Sequence, residues 1–228
     1  MQADLVVVNG ENASDVHGLS SVDARALWDA GADLITLGNH AFGRRDLYPL
    51  LEDSSAIIRP ANFPPEAPGC GYVTLRINGY RILCINVQGV ALMDALACPF
   101  DTVDRILARE DGDYDFALLD IHAEATSEKL ALARYLDGRV SVIFGTHTHV
   151  PTADEQILPH GSGYITDIGM TGAVDSIIGT EVDAVISRFR TKIPTRFHAA
   201  SGKVRATGAL FDVDESSGRV RSVHRITF

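Results

Sequence analysis

The 228-residue chain has three cysteines, one tryptophan and no apolar run near the roughly 18 residues that a membrane-spanning helix needs. Cys70, Cys84 and Cys98 are odd in number and show no C-x-x-C spacing. That argues against a disulfide framework or a thiolate zinc site, and predicts buried free thiols in a reducing compartment. Basic residues are also scarce: 20 Lys and Arg stand against 30 Asp and Glu, a formal charge of −10. Such a surface repels a phosphate backbone, so non-specific binding of long nucleic acid is not expected. A small phosphorylated ligand stays open, because a bound divalent ion dominates the potential in its own pocket. The opening Met1-Gln2-Ala3-Asp4 has no basic region, and Asn9 and Glu11 interrupt the apolar segment behind it. Neither a signal peptide nor membrane contact is expected, and a cytoplasmic protein is. Low-complexity segments, fixed-period repeats and convincing linkers are absent as well.

What is present is an ordinary globular composition, 46% hydrophobic and 22% charged, of a length that suits one domain over residues 1–228. Strands are predicted at Leu5–Asn9, Leu34–Leu37, Arg81–Val87, Phe116–Ile121 and Val140–Phe144, and a weaker one at Tyr164–Thr166. Most are Val, Ile and Leu runs without polar alternation, as in strands covered on both faces. Helices are predicted between them. Ser21 can cap one through Ala30, stopped by Gly31; Thr126 or Ser127 can cap Glu128–Leu136, with Gly138 beyond; a third spans Glu181–Arg190, before Pro194. The stretch Arg59–Gly71, with Pro60, Pro64, Pro65 and Pro68, reads as a loop. Ala206–Val213 and Val220–Ile226 read as a hairpin. Strand alternating with helix makes an α/β sandwich.

Four of the apolar runs end in residues that bind metals. They lead into Gly10-Glu11-Asn12, Gly38-Asn39-His40, His122-Ala123-Glu124 and Gly145-Thr146-His147-Thr148-His149. In open α/β sheets the ligand crevice lies beyond the carboxyl ends of the strands, so these ends would point at one crevice. Glycines at 10, 38 and 145 would let the backbone turn where each strand stops. Imidazole, carboxylate and amide donors without thiolate suit Mn, Fe, Zn or Ni. A carboxylate such as Glu11 can bridge two ions, and two ions about 3.5–4 Å apart can clamp a phosphoryl group and activate water. His17, His160, His198 and His224 follow no apolar strand and read as ordinary surface or core residues. Glu128 reads as a helix N-terminal charge, Glu124 as that or a site residue, and Asp154 and Asp167 as holding loops or serving the site.

Gly10-Glu11-Asn12, Gly38-Asn39-His40, His122-Ala-Glu-Ala-Thr-Ser-Glu-Lys129 and Gly145-Thr-His-Thr-His-Val150 closely resemble the YmdB-type calcineurin-like metallophosphoesterases. The likeness continues through Arg59-Pro-Ala-Asn62, Thr152-Ala-Asp154 and Asp167-Ile-Gly-Met-Thr-Gly172. It implies an α/β/β/α sandwich, a di-iron or di-manganese centre, and phosphodiesterase activity on 2′,3′-cyclic nucleotides; a homo-oligomer is expected. By position, Glu11 would bridge the ions, Asn39, His122 and His147 would hold one, and Asn12 and His149 the other. His40 would donate the proton to the leaving oxygen, a task suited to an imidazole. Family members normally begin with a further βα unit whose strand ends in Gly-Asp and supplies an aspartate to the metal served by Asn12 and His149, whereas this chain begins at what would be the second strand. They also commonly show Gly-Arg at Gly89-Val90. The alternatives are a catalytically weakened regulatory or scaffold protein with a partial metal site, and a metal-dependent amidohydrolase.

Overall fold

The computed structural model describes residues 3–14 and 17–228. Met1 and Gln2, at the head of the segment expected to lack a signal peptide, lie outside them. In chain order the strands and helices are β1 (Val7–Asn9), α1 (Ser21–Asp29), β2 (Leu34–Thr36), α2 (Tyr48–Asp53), β3 (Ile57–Ile58), β4 (Tyr72–Ile77), β5 (Tyr80–Gln88) and α3 (Pro99–Arg109). They continue with β6 (Phe116–His122), α4 (Thr126–Leu136), β7 (Val142–Thr146), β8 (Gln156–Ile157), β9 (Gly163–Ile165), β10 (Thr171–Ala173), α5 (Val182–Thr191), β11 (Val204–Val213) and β12 (Val220–Thr227).

Parallel β1, β2 and β3 make one sheet. The second runs β4-β5-β6-β7-β9-β8, parallel at its centre with antiparallel β4 and β8 at its edges. β10, β11 and β12 form a small antiparallel sheet. Side-chain alternation assigns the layers. Leu83, Ile85, Val87, Leu119 and Ile121 pack under α3 and α4, against Val103, Ile106, Leu132 and Leu136. Their neighbours Cys84, Leu118, Val142 and Phe144 face the other way and meet Leu34, Ile58 and Val7 of the first sheet. On that sheet's far side Ile35 and Ile57 pack with Ala24 of α1 and Leu51 of α2. The order of layers is helix, sheet, sheet, helix, as the sequence led us to expect.

Several local expectations shift. The cap of α1 is Ser20, not Ser21: its Oγ accepts the Asp23 N–H at 3.0 Å. Helix α4 begins at Thr126 itself, with Ala125 before it and no side-chain cap. Helix α5 runs to Thr191 and is capped by Lys192, which takes the left-handed conformation, φ 62°, ahead of Pro194. Elements that were not predicted include β4, α2 and α3. The thiols are free as expected, but Cys84 alone is buried, and burial pushes its pKa up to about 12. No helix among the described residues is long and apolar enough to cross a membrane.

Candidate metal centre

Asn9 pairs with Thr36 across β1 and β2, and His122 with Thr146 across β6 and β7. Residues at or just beyond the ends of these four strands come together where the two sheets meet. Their meeting point is Nε2 of His122, approached by Oδ1 of Asn39 at 2.9 Å, Oε2 of Glu11 at 3.0 Å and Nδ1 of His147 at 3.1 Å. Glu11 and His122 are each 1% exposed. The donor atoms of Glu11, His122 and His147 lie within 4.8 Å of one another, the one such grouping among the described residues. The second oxygen of Glu11 accepts the His40 backbone N–H at 2.7 Å. Asn12 and His149 stand apart as a pair, with Nδ2 of Asn12 donating to Nε2 of His149 at 3.3 Å.

The glycines act by making room. Gly10, Gly38 and Gly145 do not have positive φ, so the expected sharp turn is not their reason. A Cβ on Gly38 would lie 2.2 Å from Nε2 of His122, so another residue there would displace the imidazole. The left-handed residues are instead His147 and His149, at φ 95° and 65°.

A second tier of polar residues holds His122, and sequence reasoning did not single it out. Asp120 is fully buried between the sheets. Its Oδ2 accepts from Asn9 at 3.2 Å, Thr36 at 2.5 Å and Asn86 at 3.3 Å, and its Oδ1 accepts from Thr146 Oγ1 at 2.7 Å. Burial pushes this carboxyl up, against the charge of His122 and those donors. Because the Thr146 hydroxyl gives its one hydrogen to Asp120, its oxygen accepts from Nδ1 of His122 at 2.9 Å. That hydrogen bond sets the ring so that Nε2 faces Asn39 and Glu11, in the manner of outer partners that orient metal-binding histidines. The signal was a lone charge inside the apolar run Phe116–Ile121.

Electrostatics keep the donors in their binding forms. Burial alone would raise Glu11, but its hydrogen bond to His122, that ring's charge and the His40 N–H outweigh it and hold the carboxyl below its usual range. Burial lowers His147, with repulsion from His122 adding to it, and burial likewise lowers His149. Around Nε2 of His122 the carboxylate and amide oxygens carry no hydrogen, so a shared proton can serve one contact where a cation serves all. Oδ1 of Asn12 is buried without a hydrogen-bond partner, an oxygen that a metal beside His149 would satisfy. The donor set fits hard to borderline divalent ions.

Other residues take unexpected places. His17, expected to be an ordinary histidine, stacks on His40 with centroids 5.0 Å apart. Glu128 does more than charge a helix end: its carboxylate accepts the N–H groups of Val90 at 2.9 Å and Ala91 at 3.2 Å. Glu124 reaches Nε2 of His147 at 3.2 Å. Asp154 holds a loop by accepting from Thr166, and the Arg59 guanidinium bonds three carbonyls of the proline-rich loop.

Known proteins resemble this chain over nearly its whole length. The family model described as YmdB-like protein matches residues 1–226. The chain belongs to the YmdB-like family. Within it, the 2′,3′-cyclic-nucleotide 2′-phosphodiesterase of Bacillus subtilis (strain 168) is 42% identical over 220 residues, 96% of this chain and 83% of that protein. A Thermus thermophilus protein of known crystal structure superposes with TM-score 0.94 at 46% identity, covering 99% of this chain and 88% of its own. A Mycoplasma pneumoniae protein described as a novel phosphatase gives TM-score 0.93 at 34% identity, covering 100% and 83%. This YmdB-like chain has the metallophosphoesterase fold and is a hydrolase of that class.

Proposed function

We propose that this chain hydrolyses 2′,3′-cyclic nucleotides, or small phosphodiesters like them, at a dinuclear metal centre. The observation that carries the proposal is the gathering of Glu11, Asn39 and His147 around Nε2 of His122, in a chain 42% identical to a named 2′,3′-cyclic-nucleotide phosphodiesterase. Asn39, His122 and His147 would hold one ion, Asn12 and His149 the other, with Glu11 between them. Donors of nitrogen and oxygen without thiolate suit manganese, iron, zinc or nickel, and the family resemblance points to iron or manganese among them. Bound there, the ions would supply Lewis acidity toward the phosphoryl group and lower the pKa of the attacking water.

The protein's own groups do the rest. Asp120 and Thr146 hold the His122 ring with Nε2 toward the crevice. His40 is exposed at the rim, and its backbone N–H fixes Glu11. As water oxygen bonds to phosphorus, releasing a proton to solvent, and the ester P–O bond breaks, the His40 imidazole gives its own proton to the departing ribose oxygen. The same reading takes residues 1–228 as one cytoplasmic domain that works as a homo-oligomer. The −10 charge supports a small ligand over long nucleic acid.

The test is hydrolysis of 2′,3′-cyclic AMP and of bis-p-nitrophenyl phosphate by chelator-treated chain, with and without added manganese. Turnover that requires manganese supports the proposal. Bound metal without turnover on either ester would favour the alternative, a weakened scaffold protein.

A further inference from the structure

Thr148, between the two strained histidines, is held by Asp167, which is paired in turn with Lys129. Left-handed backbone at two imidazole donors flanking one residue, φ 95° at His147 and 65° at His149, persists when the surroundings enforce it. Here the enforcing group is Asp167, just beyond β9. Its Oδ2 accepts both the N–H of Thr148, at 3.0 Å, and the Thr148 hydroxyl, at 2.7 Å. The same oxygen accepts from Nζ of Lys129 at 2.9 Å, and both side chains of this ion pair are 0% exposed. Oδ1 takes the Gly169 N–H at 2.9 Å, and the Asp167 N–H is bound by Thr152 at 2.9 Å, so the carboxylate has little freedom to move. Lys129 comes from α4, the helix that follows His122. It passes so close to the end of β7 that a Cβ on Gly145 would lie 2.8 Å from its Cδ.

A buried ion pair is a poor source of stability, since an apolar pair of the same volume does as well or better. Geometry is a better account of this one. Three donors converge on a single oxygen of Asp167, and hydrogen bonds of this charge-assisted kind are short and directional.

We propose that Lys129 and Asp167 are positioning residues: through Thr148 they lock the backbone that presents His147 and His149 to separate ligand positions. The ion pair thereby ties α4, and with it the strand end carrying His122, to the loop carrying the other two imidazoles. This inference rests on the metal centre proposed above.

The test compares Lys129→Met, Thr148→Val and Thr148→Ser with the unsubstituted chain. Thr148→Val removes the hydroxyl donor and keeps the ion pair, so it serves if Lys129→Met does not fold. Thr148→Ser restores the donor. Two properties are read, amide hydrogen exchange over residues 145–152 in metal-free chain and manganese affinity by calorimetry. Thr148→Val should exchange faster over that segment and bind manganese about tenfold or more weakly, with a near-unchanged metal-free melting temperature. Thr148→Ser should recover both. Exchange and affinity unchanged in Thr148→Val, or a serine variant as impaired as the valine one, would overturn the proposal. If the unsubstituted chain takes up no manganese, the metal centre fails, and the exchange measurement still decides the lock.

Discussion

Glu11 and His122 meet at the ends of two strands, each 1% exposed, whereas Asn12 and His149 meet between loops and are partly buried. The first pair stands on a polar network spanning both sheets, through Asp120, Thr146, Thr36 and Asn86. The second has an amide oxygen with no partner and a histidine in left-handed backbone. Glu11 and His122 are thus set by the sheets themselves, whereas His149, and His147 with it, depends on how a loop is held. Rigid donors fix ligand geometry before an ion arrives, and loop donors leave part of that ordering to the ion.

The sharpest way to break the comparison is at the rigid end. His147→Ala should lose both metal and detectable turnover, because its Nδ1 joins the cluster around His122. Retained turnover with cyclic nucleotide would show the cluster to be structural. Next in size is His40→Ala, which should lower kcat by about two to four powers of ten, the usual contribution of a general acid. Manganese binding should persist, since His40 contacts Glu11 through its backbone N–H; weaker metal binding than in His147→Ala would refute that division of roles. Asp120→Leu should cost about 3 kcal/mol or more of stability in urea unfolding, by stranding buried donors on four residues. A loss under about 1 kcal/mol, the net worth of one ordinary hydrogen bond, would show that the network contributes little to the rigid end.

The smallest effect is on pH. The unfolded chain protonates His147 and His149 near 6.5, and the folded chain resists this because burial lowers both. Their neutral forms therefore carry no penalty above pH 6.5, and stability declines as pH falls below it. Glu11, lowered from 4.5, adds stability above that value that is lost as pH drops through its folded pKa. Melting of metal-free chain should be flat above about pH 7 and fall from about 6.5 downward. A flat profile from about pH 7 to about pH 5 would contradict the burial of these imidazoles.

The strand ends were legible because buried parallel strands are written in unbroken Val, Ile and Leu, so the first polar residue marks where the chain leaves the sheet. That is how the six candidate ligands were read, of which the structure gathers Glu11, Asn39 and His147 at Nε2 of His122 and pairs Asn12 with His149. Strand β4 pairs at an edge with its residues mostly half-buried, so it lacks such a run. Helix α3 carried readable signs, Pro99 in its first turn and Val103, Ile106 and Leu107 on one face, and was still missed. The Lys129–Asp167 pair could not be seen, since 38 residues separate partners that only the folded arrangement of α4 and β9 brings together. Likewise, Gly38 reads as a turn former until His122 is found filling the space its Cβ would take.

The central claim, two unlike metal positions in one crevice, is tested most directly by calorimetric titration of metal-free chain with manganese. Two binding steps of unequal affinity are predicted, with His149→Ala abolishing the weaker and leaving the tighter in place. Two steps of equal affinity, or a His149→Ala chain that has lost its tighter step, would contradict it.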